Sequence, residues 1–197
     1  MWPFDVLRKL SREDGVIESL QFLLSAASAI LALKYAKKIW TSKYKIAARL
    51  YIIFGIGMIL VAGDEVSWGQ RVLNIETPAR LAEINIQSEF NWHNLSLFST
   101  AITIGYIIVG FYGSFAWAVA KVWKTKNDAV DIFIPQSFLF FYFFIPFIYN
   151  LRTWVDQQLL GSWFEFNELM LYLGIFIFVS YNYFSFKSEK RLKRMVK

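Results

Sequence analysis

The run Leu50-Tyr51-Ile52-Ile53-Phe54-Gly55-Ile56-Gly57-Met58-Ile59-Leu60-Val61-Ala62-Gly63, closed by Asp64-Glu65-Val66-Ser67-Trp68-Gly69-Gln70-Arg71, decides how this chain folds. Uncharged and mostly apolar, it reads as a helix entering a membrane, yet it is too short to cross. From Arg49 to Glu65 the helix rises roughly 24 Å at about 1.5 Å per residue, against a hydrocarbon core of about 30 Å. With Arg49 at one membrane face, both carboxylates fall inside the slab. An ionisable group at that depth costs about 2.5–3.5 kcal/mol on the insertion scale and usually lines a site or a pathway. The stretch therefore predicts a membrane helix bundle with a functional site near Asp64 and Glu65.

Composition agrees. Of 197 residues, 56% are hydrophobic and 19% aromatic, and the mean hydropathy is +0.39; a soluble domain holds about 45–50% apolar residues. Five stretches are long enough, or nearly so, to span: 16–33, 50–68, 95–119, 132–149 and 169–186. Each is predominantly apolar, which favours a helix bundle over the alternating pattern of a membrane β-barrel strand. The expectation is an all-α polytopic bundle of about five transmembrane helices, forming one domain over residues 1–197, with no internal repeat.

The net charge of +6 is unevenly placed. Lys34, Lys37, Lys38, Lys43, Lys45 and Arg49 fill the first connection, Lys121, Lys124 and Lys126 the third, and Lys187, Lys190, Arg191, Lys193, Arg194 and Lys197 the tail. In a five-span topology those segments share one face, which the positive-inside rule makes cytoplasmic, with the N-terminus outside. The expected setting is a bacterial cytoplasmic membrane, the basic face touching anionic lipid; a nucleic-acid partner is not expected. The leading segment carries Asp5, Glu13 and Asp14, and its apolar run holds Glu18 and Gln21, so the first helix reads as retained and not as a cleaved signal. With no cysteine, disulfides and thiolate metal sites are excluded.

The remaining acids gather on the outer face. Glu18 lies roughly 24 Å from Lys34, the same depth as Glu65, and Glu168 roughly 28 Å from Lys187. Glu18, Gln21, Ser25 and Ser28 form one helical stripe; the serines read as packing residues, and for Glu18 a functional and a structural role stand open. Glu165, Glu168 and Tyr172 share a face at the start of the fifth helix, where acids also suit the helix dipole. Between the second and third spans, Thr77-Pro78 marks a helix start, and 80–94 is amphipathic, predicting a short outer interfacial helix. There Asn85, Glu89 and His93 fall on one face, so that Glu89 and His93 can form a proton-transfer pair or share a metal. A carboxylate supply with a single histidine favours Mg²⁺ or Ca²⁺ over Zn²⁺, with Glu18, Glu65 and Glu168 as candidate ligands.

Gly63 to Arg71, with Asn85, Gln87, Glu89, Asn91, His93 and Asn94 beyond it, resembles a family of small, uncharacterised bacterial integral membrane proteins. Their segment reads G-E-E-I-S-W-G-Q-R, followed by an N-x-Q-x-E-x-N-x-H-N-like helix. Asp64 stands here where that pattern has glutamate, which preserves the acid. The resemblance covers about a third of the chain and implies a bacterial membrane protein; it carries no activity with it.

No Walker loop, nucleotide-binding glycine pattern, HExxH, GxSxG or potassium-filter sequence occurs. The residues support an enzyme acting on a lipid or lipid-linked substrate at the outer leaflet. Glu65, Asp64, Glu89 and His93 would carry acid–base or cation-assisted chemistry. Arg71, Trp68, Gln70 and Arg152 would bind the substrate, the arginines clamping a phosphate-like headgroup. The alternatives are a cation channel or carrier with an acidic outer mouth, which would need a homo-oligomer, and a non-catalytic membrane accessory subunit. For a channel, Thr100, Thr103 and Tyr106 of the third span are among the few polar groups available further inward.

Overall fold

The computed structural model describes residues 15–41, 43–73, 75–79, 83, 91, 95–123, 128–155 and 163–195. Among them the fold is all-α, without a strand. Its five long helices are α1 (Val16–Ile39), α2 (Lys45–Glu65), α3 (Ser96–Trp123), α4 (Phe140–Val155) and α5 (Trp163–Met195). All five are long and apolar enough to cross a membrane, α4 together with the short turn Ser137–Leu139 before it. The outside of the bundle is as oily as its inside. Ile53, Ile56 and Ile59 on α2, Ile108 and Phe111 on α3, and Phe141, Ile145 and Ile148 on α4 all stand exposed. A water-facing protein does not present so large an apolar surface, whereas lipid tails solvate it at no cost.

The fourth span starts later than expected. Residues 132–136 lie outside any helix, and the fourth span begins at Ser137 instead of 132. Pro135 explains the shift: its ring disfavours helical backbone at Ile134 and it has no N–H to donate. The displaced stretch is pinned. Tyr51 Oη and Asn182 Nδ2 both donate to the Ile132 carbonyl (2.8 and 2.9 Å), and Asn182 Nδ2 also donates to Tyr51 Oη (2.8 Å). Phe133 stacks on the Tyr51 ring at 5.0 Å.

The helices pack in the order α2, α1, α5, α4, α3, each along its neighbours. Among the described residues, α2 and α3 are the two ends of that order and share no extended packing. Small residues set the close approaches, as expected where no hydrophobic driving force separates helix from lipid. Ala29, Ala32, Ala36, Ala47 and Ala48 are buried at or beside the α1–α2 seam. At the α3–α4 seam a Cβ on Gly113 would stand 2.1 Å from Cγ of Phe143. Two apolar clusters fill the bundle, Ala32–Tyr35–Tyr51–Val179 towards the basic end and Ala29–Met58–Leu139–Phe143–Leu171–Ile175 above it.

Candidate functional site

Glu65 is the last residue of α2, and the turn beyond it winds against the usual hand of the chain. Ser67, Trp68 and Gly69 have φ of +46°, +55° and +76°. For the two residues that carry a Cβ, left-handed backbone costs roughly 1–2 kcal/mol each. Packing holds the turn. The Trp68 ring folds back onto Gly63, where a Cβ would stand 2.8 Å from Cζ3 and 2.9 Å from Cε3, so only glycine admits the ring. Asn91 Nδ2 reaches the buried Ser67 Oγ at 3.4 Å, tying the outer segment to the turn. Gln70 Nε2 donates to the Ile75 carbonyl (3.0 Å) and to Thr77 Oγ1. Gly63, Ser67, Trp68, Gly69 and Gln70 thus form a lock that ends the helix with Glu65 aimed into the bundle. Asp64 and Glu65 sit at the negative end of the α2 dipole, a position that disfavours acids by about 0.3–1 kcal/mol. The fold tolerates two unfavourable placements here, strain and charge, which is the pattern of a working site.

Inside the bundle Glu65 meets α5 and α3. Tyr172 Oη donates to Glu65 Oε1 at 3.0 Å. Tyr106 Oη donates to Glu168 Oε1, and the two tyrosine hydroxyls lie 3.4 Å apart. Gln21 Nε2 closes the group from α1, near the Glu165 carbonyl (3.0 Å), Glu165 Oε2 (3.2 Å) and Glu168 Oε2 (3.5 Å). Glu65, Glu168 and Tyr172 are 7%, 6% and 5% exposed, and Gln21 is fully buried. Four of the five long helices therefore contribute to one polar network in an apolar bundle. A chain of hydroxyls and carboxylates out of water can hold, donate and accept protons, which is acid–base machinery.

The expected residues divide. Glu65 and Glu168 belong to the network; Asp64, half-buried, adjoins it in the same helical turn, and Glu18 is half-buried one turn outward of Gln21 on the same face. Ser25 and Ser28 donate to the Gln21 and Leu24 carbonyls of their own helix (2.7 Å each), the packing role expected of them. Other expected residues are placed as follows. Arg152 lies in the last turn of α4, exposed on the side opposite buried Asn150, and so points away from the network. The Gln70 amide nitrogen holds the outer loop and Trp68 covers Gly63, so both take part in the lock. Glu18, Glu65 and Glu168 are not gathered into a ligand shell: tyrosine hydroxyls stand between Glu65 and Glu168, and among the described residues no three carboxylate or imidazole groups are placed to hold a metal. Glu89 and His93 lie outside the described residues, as does most of the expected interfacial helix; of that helix the Glu83 N–H to Ala79 carbonyl bond (3.1 Å) is one described turn. Arg71 is described in its backbone alone, within the helical turn Gln70–Leu73. Tyr106 joins the site although its sequence position suggests a pathway residue. The signal for it is a lone hydroxyl in an apolar span, which in lipid needs an internal partner.

Compared with known proteins, the chain matches no family model, no curated protein and no solved structure.

Proposed function

We propose that the protein is a membrane enzyme that acts on a lipid or lipid-linked substrate by acid–base chemistry at Glu65 and Glu168. One observation carries this reading: two carboxylates, each more than nine-tenths buried, are joined through Tyr172 and Tyr106 near one end of the bundle. A merely structural role is better served by apolar packing, because removing charge from water costs more than such contacts return. Glu65 is the proton-transfer group nearest the strained turn, with Asp64 beside it to orient a water or a substrate hydroxyl. Arg71, with Glu89 and His93 of the outer segment, belongs to the headgroup side of this proposal.

The same proposal sets the protein in a bacterial cytoplasmic membrane, the site at the outer leaflet, the N-terminus outside and the basic face on anionic cytoplasmic lipid. Membership of the bacterial family with the G-[DE]-E-x-S-W-G-Q-R segment is part of it. A cation channel finds less support. Inward of Gln21 the serines of the polar stripe turn to their own backbone, and Ala29, Met58, Phe143, Leu171 and Ile175 pack across the interior.

The test compares lipid and lipid-linked glycan profiles of cells lacking the protein with cells complemented by the wild type, Glu65→Gln or Glu168→Gln. A profile altered by loss of the protein and restored by the wild type alone is expected. An unchanged profile, with full complementation of any growth phenotype by Glu65→Gln, would remove the enzyme reading. Orientation is read in the cysteine-free background with an impermeant thiol reagent on intact cells. Arg80→Cys should label and Trp40→Cys should not; the reverse pattern inverts the topology.

A further inference from the structure

The chain Glu65–Tyr172–Tyr106–Glu168 has three links. With both glutamates ionised it has two hydrogens to fill them. A tyrosine hydroxyl carries one hydrogen, and an ionised carboxylate carries none. Tyr172 gives its hydrogen to Glu65 Oε1 at 3.0 Å and Tyr106 gives its own to Glu168 Oε1. The middle link, Tyr106 Oη to Tyr172 Oη at 3.4 Å, is then two oxygens with no hydrogen between them. One added proton resolves the shortage. If Glu65 carries it, Glu65 donates to Tyr172, Tyr172 to Tyr106 and Tyr106 to Glu168, and every link is made. If Glu168 carries it, the same three links run in reverse.

Beside this chain, Gln21 Oε1 is fully buried without a partner, and its Nε2 lies 3.5 Å from Glu168 Oε2. In sequence, the acids nearest the cluster are Asp64 beside Glu65, Glu165 one turn from Glu168, and Glu18 one turn from Gln21, while the described bases Lys34, Lys37, Lys38, Lys45 and Arg49 of α1 and α2 lie towards the other end of those helices.

We infer that Glu65 and Glu168 hold one proton between them and exchange it through Tyr172 and Tyr106. In one transfer the Glu65 hydrogen passes to Tyr172, the Tyr172 hydrogen to Tyr106 and the Tyr106 hydrogen to Glu168. Glu65 ends ionised and Glu168 protonated, both tyrosines regain a hydroxyl, and no atom or net charge leaves the chain. A proton accepted at the α2 end, beside the strained turn, is thereby available at the α5 end without crossing water. The inference goes beyond the proposed reaction and stands or falls without a substrate.

Infrared difference spectroscopy of the purified protein in lipid nanodiscs tests it, by the C=O band of a neutral carboxyl that shifts on deuteration. The wild type minus the double variant Glu65→Gln/Glu168→Gln should show the intensity of one neutral carboxyl at neutral pH. Each single variant minus the double variant should show none. A glutamine amide is a permanent donor, so it fills the three links in one direction and leaves the remaining glutamate ionised. No neutral carboxyl in the wild type, two of them, or a band that survives in either single variant overturns the inference. Tyr106→Phe and Tyr172→Phe, which keep the rings and remove one oxygen, give a measurement that does not rely on the glutamine variants. Each should shift the wild-type band, because one proton is tied to all three links, and a band unmoved by both substitutions also overturns it.

Discussion

Replacing Gly63 with alanine tests the lock that aims Glu65, and Gly57 on the same helix supplies the control. A Cβ at position 63 would meet three atoms of the Trp68 ring at 2.8, 2.9 and 3.0 Å, whereas a Cβ at position 57 would meet nothing within 4 Å. Both substitutions gain helix propensity, about 0.8–1 kcal/mol in a helix interior and less near its end. Only Gly63→Ala must also push aside a ring whose backbone is held left-handed, an overpacking cost of typically about 1–3 kcal/mol. Propensity cancels to first order in the comparison. Gly63→Ala should therefore be less stable than Gly57→Ala by about 1–3 kcal/mol, with Gly57→Ala at or above the wild type. Reversible unfolding in mixed micelles gives both numbers. The packing argument also predicts a functional loss out of proportion to stability, because displacing Trp68 re-aims Glu65. Equal stability of the two variants, or a Gly63→Ala protein more stable than Gly57→Ala, would refute the idea that the ring's seat on Gly63 fixes the turn.

Three further outcomes rest on the described contacts. Asn182→Ala removes a donor shared by the Ile132 carbonyl and Tyr51 Oη, and should destabilise the protein by about 1–3 kcal/mol; an unfolding free energy within error of the wild type would contradict this account of the 132–133 connection. Gln70→Ala releases Ile75 and Thr77, so proteolysis between 73 and 79 should speed up several-fold without loss of the helical circular-dichroism signal, and an unchanged cleavage rate would count against the lock. Arg152→Ala, exposed on the far side of α4, should leave stability and the lipid profile unchanged. A strong loss there would restore it as a substrate contact.

Much of this architecture is legible in one dimension. Partition into a membrane depends on the local run of apolar residues, so the five helices can be counted from hydropathy. The depth of Glu65 comes from 1.5 Å per residue measured from Arg49, since a helix in lipid has no other way to satisfy its backbone. Period places Glu165, Glu168 and Tyr172 on one face. The fourth span starts later than its hydropathy suggests, although Pro135 is there to be weighed. What no periodicity can supply is who meets whom. Tyr172 bonds Glu65 across 107 positions and Tyr106 bonds Glu168 across 62. Those meetings exist because α5 is wedged between α1 and α4 and rotated to turn its polar start inwards. That order and rotation are set by where glycine and alanine let helices approach, as at Gly55 and Gly113. Whether a small residue marks a helix seam, a ring seat like Gly63 or open space like Gly57 is a property of its neighbours. A residue's own chemistry determines that it needs a hydrogen-bond partner in lipid; the packing of the helices determines which partner it finds.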